Sequence, residues 1–138
     1  MIRKWKQSFK RVFQPAARGK NQADLTEPLS RLFGFDRGTP IDRYYIEKFL
    51  SQNSQYIRGT VLEISENLYS KMFGKAKVTK QEILHFDDSN SRATIVGDLT
   101  KPETLPFETI DCFICTQTYN FIFSVASALQ GSYRLLKK

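Results

Sequence analysis

A chain of 138 residues, 41% hydrophobic and 25% charged, has the make-up of one ordinary globular domain with enough length to bury a core. It contains no run of 18 or more apolar residues, which excludes a membrane-spanning helix, and its start lacks the continuous apolar stretch of a secretory signal. The net charge of +7 belongs to one segment: Arg3, Lys4, Lys6, Lys10, Arg11, Arg18 and Lys20 are seven of the 21 basic residues, and the other 14 balance the 14 acids. The rest of the chain is neutral, so no nucleic-acid partner is expected.

Residues 1–27 read as a basic amphipathic arm and linker. Ile2, Trp5, Phe9, Val12 and Phe13 recur at helical spacing among the bases. Such a helix suits peripheral contact with an anionic membrane surface, docking on its own domain, or a solvated terminus that frays. Pro15 and Gly19 punctuate the linker, and Gly34, Gly38 and Pro40 mark irregular backbone after it. Thr39 as N-cap and Pro40 at the first helical position then predict a helix to about Asn53. Its stripe of Ile41, Tyr45 and Phe49, with Ile46 and Leu50 beside it, is the face expected to be buried.

From Thr60 the pattern changes to short apolar runs. Val61–Ile64 predicts a first strand, Asn67–Phe73 a short helix closed by Gly74, Glu82–Phe86 a second strand and Ala93–Val96 a third. Leu99–Pro106 is a loop, because Pro102 and Pro106 bar regular structure. Ile110–Thr116 predicts a fourth strand, apolar enough for a sheet covered on both faces. Ile122, Val125, Ala126, Leu129, Tyr133 and Leu136 trace the expected inner face of a last helix, in which Gly131 costs roughly 1 kcal/mol relative to Ala. Strands alternating with crossovers predict an α/β fold with a parallel sheet. The link from Asp87 to Arg92 is short for a crossover helix.

Cys112 and Cys115 are three apart in the fourth strand, so their side chains point to opposite faces and neither pair nor chelate together. Plain buried thiols suit a reducing, cytoplasmic setting. No metal site is expected.

Ligands of open α/β sheets gather at the carboxyl ends of the strands, beside the switch point in strand order. Glu63, Asp87 and Asp98 stand at or near those ends of the first three strands. A carboxylate there can accept hydrogen bonds from ribose hydroxyls or from an adenine amino group. Acids are also common in such surface loops for no functional reason. No G-x-G-x-x-G opens a helix, which speaks against a dinucleotide oxidoreductase. The single histidine, His85, lies inside the second strand away from its end and reads as structural. Asp36 and Asp42 have no geometric support, and no catalytic base is named.

Residues 33–50, running Phe-Gly-Phe-Asp-Arg-Gly-Thr-Pro-Ile-Asp-Arg-Tyr-Tyr-Ile-Glu-Lys-Phe-Leu, carry a likeness beyond spacing. It continues through Gly59–Ile64, Ile95–Thr100, Leu105-Pro106 and Ile110–Thr118. Together they resemble bacterial class I S-adenosylmethionine-dependent methyltransferases, of the kind found among glycan-assembly genes, over about residues 28–138. The resemblance implies a Rossmann-like methyltransferase fold of which this is the N-terminal portion: four parallel strands with flanking helices, ending before a Pro-Gly-Gly turn and a fifth strand.

It further implies S-adenosylmethionine as cofactor and a small-molecule or glycan acceptor. Glu63, Ile64 and Ser65 would form the loop under the methionine part. Asp87, or Asp88 in its stead, would hold the ribose, and Asp98 with the backbone of Leu99 the adenine. Thr116 and Gln117 would line the sulfonium side, with Arg43 and Tyr44 reaching the methionine carboxylate. The family's first motif has glycines where this chain has Ser65 and Asn67, which predicts weakened cofactor binding. An uncovered fourth strand predicts self-association, weak turnover, or a non-catalytic interaction module.

Overall fold

The computed structural model describes residues 38–138. The basic arm, with its proposed membrane contact, and the segment up to Arg37 lie outside the described residues. The boundary between two compact units falls between Glu47 and Lys48.

Helix α1 spans Ile41–Gln52, and the Pro40 carbonyl accepts its first intrahelical bond, from the Tyr44 N–H at 3.3 Å. The predicted stripe is not the buried one. Ile41, Tyr45 and Phe49 are exposed, and Leu50 is the buried residue of this helix.

Four strands follow: β1 (Gly59–Ile64), β2 (Val78–His85), β3 (Ile95–Val96) and β4 (Cys112–Ile114). They form one all-parallel sheet in the order β3-β2-β1-β4. This is an α/β fold compatible with a Rossmann-like architecture: the order runs one way from β1 to β3 and then returns to β4 on the other side of β1. β2 starts four residues earlier than its apolar run, because Val78–Gln81 pairs with β1 while leaving polar side chains in water. β3 and β4 are shorter than expected.

Paired residues of a parallel sheet share a face, which assigns the two sides. Leu62 pairs beside Phe113, and Ile64 beside Leu84, itself beside Ile95. These residues join Leu99, Leu105, Ile110, Ala128 and Leu135 in one core cluster. Burying a leucine fully is worth about 1.5–3 kcal/mol, so this cluster is a principal source of cohesion. On the opposite face Val61, Glu63 and Ile83 lie under the β1–β2 connection, whose Tyr69 and Gly74 are buried. The expected short helix is present there, but Ser70–Gly74 is π-helical and runs on past Gly74 into a 3-10 turn at Lys75–Lys77. The β2–β3 connection holds no helix at all, only turns, and Thr94 ties it down by donating its N–H to the Ile83 carbonyl at 3.0 Å.

Helix α2 (Val125–Leu135) buries Ala128, Gly131, Ser132 and Leu135. Of the expected inner face, Ile122 and Leu136 pack against the core from beyond the helix ends, but Val125, Ala126, Leu129 (51%) and Tyr133 (66%) are exposed. Small residues face inward because the helix lies against backbone. A Cβ on Gly131 would meet the Leu99 carbonyl oxygen at 2.1 Å.

After α2 the chain returns to the sheet. Ile110, two residues ahead of β4, pairs in parallel with Leu136, donating to the Leu135 carbonyl and accepting from the Lys137 N–H. The expected bare edge is therefore covered at its start. Among the described residues no helix is long and apolar enough to cross a membrane.

Candidate functional site

The strand register brings most of the predicted residues to one edge. His85 pairs with Val96, so Asp87 and Asp98, each two residues further on, leave β2 and β3 at the same level. Glu63 pairs with Ile114, so Ser65 and Thr116 leave β1 and β4 together, with Gln117 next. At about 4.8 Å per strand the row from Asp98 to Thr116 spans roughly 14 Å. Arg43 and Tyr44 lie on α1, in the unit that precedes Lys48.

Glu63 is 3% exposed, and its two carboxylate oxygens accept the Tyr69 N–H at 3.0 Å and the Ser70 N–H at 2.7 Å. Burial pushes this carboxyl above the ordinary glutamate value, against the lowering effect of the Ser70 and Tyr69 hydrogen bonds. The acid thus serves the loop, supplying acceptors to N–H groups at the start of the helical turns.

Ser65 occupies the left-handed region, with φ 63°. Its N–H donates to the Leu84 carbonyl at 2.9 Å, and the Glu66 N–H closes a tight turn onto the Ile64 carbonyl at 2.8 Å. A φ near +60° with an i to i+2 hydrogen bond is the strained form of the γ-turn. The position that the resemblance assigns to glycine therefore has a glycine-like backbone, occupied by serine. Asn67, at the second glycine position, has no positive φ; its side chain bonds Gln81 and Lys71 instead. Gln117, past β4, is left-handed as well, with φ 52°. Two strained turns thus flank the point where the strand order reverses.

Asp87 is exposed, and its Oδ1 accepts the Ser89 N–H at 3.0 Å and the Ser89 hydroxyl at 2.5 Å. His85 Nδ1 lies 3.2 Å from the same oxygen. The Ser89 bonds hold this carboxyl below the ordinary aspartate value. His85 is the last residue of β2, at the strand's carboxyl end rather than inside it. Asp98 is built alike: Oδ1 accepts the Thr100 N–H and hydroxyl, both at 2.8 Å, and those bonds lower its pKa. Asp88 is exposed beside Asp87.

In both Asp87 and Asp98 the loop's own bonds fall on Oδ1. Oδ2 of Asp87 accepts no hydrogen bond among the described residues, and Oδ2 of Asp98 has only Lys101 Nζ nearby, at 3.9 Å. Each tip thus keeps one carboxylate oxygen that no hydrogen bond of the loop engages, which suits the hydroxyl and amino donors of a nucleoside, so the acids present fit an adenosine-bearing cofactor.

Asn90 is a site residue that residue pattern did not single out. From the β2–β3 loop its Nδ2 donates to the Ser65 carbonyl at 2.8 Å. Nearby, the Tyr119 hydroxyl donates to Ser132 at 2.8 Å and links the segment after β4 to α2.

Cys112 and Cys115 are free, half-buried thiols, both raised by burial. A surface depression lined by Gln55, Arg58, Gly59, Lys77 and Asp111 lies at the opposite, amino end of the strands and shares no residue with the row of tips. The chain matches no family model, no curated protein and no solved structure.

Proposed function

We propose that this chain is the cofactor-holding part of an S-adenosylmethionine-dependent methyltransferase that acts on a small-molecule or glycan acceptor. The observation that carries this reading is the parallel strand order β3-β2-β1-β4, with two acid-tipped strands on one side of the reversal point. Ligands of open α/β sheets sit in that crevice. Asp98 and Asp87 would offer Oδ2 to the adenine amino group and the ribose hydroxyls, and Thr116 and Gln117 would face the sulfonium side. The cofactor brings an already activated methyl group, so the protein's work is to hold donor and acceptor in line. Isothermal titration with S-adenosylhomocysteine tests this. We expect measurable heat from the unaltered chain and at least a tenfold weaker complex for Asp98→Ala; well-folded protein that gives no heat would remove the reading.

A second reading is a non-catalytic, methyltransferase-like module that works by association. It is favoured by the commitment of both Glu63 oxygens to the loop and by the outward-facing Leu129 and Tyr133 of α2. Light scattering that finds a stable oligomer, together with no uptake of the cofactor product, would select it.

A further inference from the structure

Left-handed φ is costly for any residue with a Cβ, by roughly 1–2 kcal/mol, and serine has no side-chain length to spare for repairing it at a distance. The turn at Ser65 needs an outside restraint. Its N–H is held by Leu84 of β2, and its carbonyl by the side chain of Asn90.

The Asn90 amide is itself oriented. Its Oδ1 accepts the Arg92 N–H at 3.0 Å, and its carbonyl accepts the Ala93 N–H at 2.9 Å, within the same turn. With Oδ1 engaged there, the NH2 group must point at Ser65. The helix-free β2–β3 connection brings this residue across the tip of β2, 25 positions along the chain from the serine it holds. Ser65 is thus fixed on both of its peptide units by β2 and the loop after it, and Asn90 is the one side chain in that arrangement.

We propose that Asn90 is a positioning residue for the crevice: by holding the Ser65 carbonyl it keeps a serine in the glycine-like turn over which a ligand at the end of β1 must lie. The ligand part of this rests on the methyl-donor reading; the clamp does not. Asn90→Asp keeps the acceptor for Arg92 and removes the donor to Ser65. Ser65→Gly removes the strain that the clamp works against, since glycine adopts positive φ freely.

The test uses the full chain in four forms: unaltered, N90D, S65G and the double variant. Amide exchange at Glu66, whose N–H closes the turn, reports the clamp, and titration with S-adenosylhomocysteine reports the ligand. Loss of one such bond predicts Glu66 exchange and the dissociation constant each rising roughly three- to tenfold in N90D. S65G keeps the carbonyl that Asn90 holds but relieves the strain, so it should offset the loss and bring the double variant back to within about twofold of the unaltered chain. Unchanged exchange in N90D, or a double variant that exchanges as fast as N90D alone, overturns the clamp on a strained serine. Faster exchange with unchanged affinity overturns the positioning role and leaves the cofactor reading intact. If the unaltered chain takes up no S-adenosylhomocysteine, the methyl-donor reading falls, and exchange at Glu66 alone decides the clamp.

Discussion

Gly131 rests against the carbonyl of Leu99, so closely that a methyl group at its Cα would sit 2.1 Å from that oxygen. A helix glycine that sequence alone marks as a cost of about 1 kcal/mol is therefore a requirement of packing. Gly131→Ala should gain helix propensity and lose more in overpacking, for a net loss of roughly 1–3 kcal/mol by urea unfolding. A neutral or stabilising result would mean that α2 can slide off the 97–105 loop at no cost.

Glu63 gives a second prediction. Glu63→Ala leaves two buried N–H groups without acceptors and should lose about 1–3 kcal/mol for each. Glu63→Gln separates charge from shape. Because burial raises this carboxyl, its share of stability is present below the ordinary glutamate value and is lost as pH rises through the raised one. The cost of E63Q, measured by unfolding at a series of pH values, should therefore be larger near pH 4 than near pH 7. A cost that grows with pH would show that the two backbone bonds outweigh burial.

Asp111 works in the other direction. Its carboxylate accepts the Thr60 N–H at 2.7 Å and the Lys137 ammonium at 2.9 Å, and these partners hold its pKa below the ordinary value. Stability from this acid is present above the ordinary aspartate value and is lost as pH falls through the lowered one. Acid titration of the unaltered chain should show a loss below about pH 4 that Asp111→Asn diminishes. Equal acid sensitivity in the two proteins would remove Asp111 from the account.

Much of the architecture was legible because it depends on order. Apolar runs at Val61, Ile83, Ile95 and Phe113 alternate with polar links, and the resulting strands are parallel. The acids past β2 and β3 stand where strand ends put them. What failed did so for physical reasons. Hydropathy marked Val125, Leu129 and Tyr133 as the inner face of α2, but a helix that lies on backbone needs Ala128, Gly131 and Ser132 there. The first half of β2 is polar because only its later residues enter the core. Asn90 has no signature, since its role depends on a loop crossing between two strands. The left-handed φ of Ser65 was concealed by its side chain: glycine advertises such a position, and serine does not.

The parallel bridge between Ile110 and Leu136 ties the residues on either side of β4 and α2 into one closed circuit. The end of α2 cannot leave the sheet without breaking the bonds at Ile110 and Lys137 together. Those two amides should therefore behave as one clock, exchanging at a shared rate set by release of the whole β4–α2 circuit rather than by fraying of the helix end.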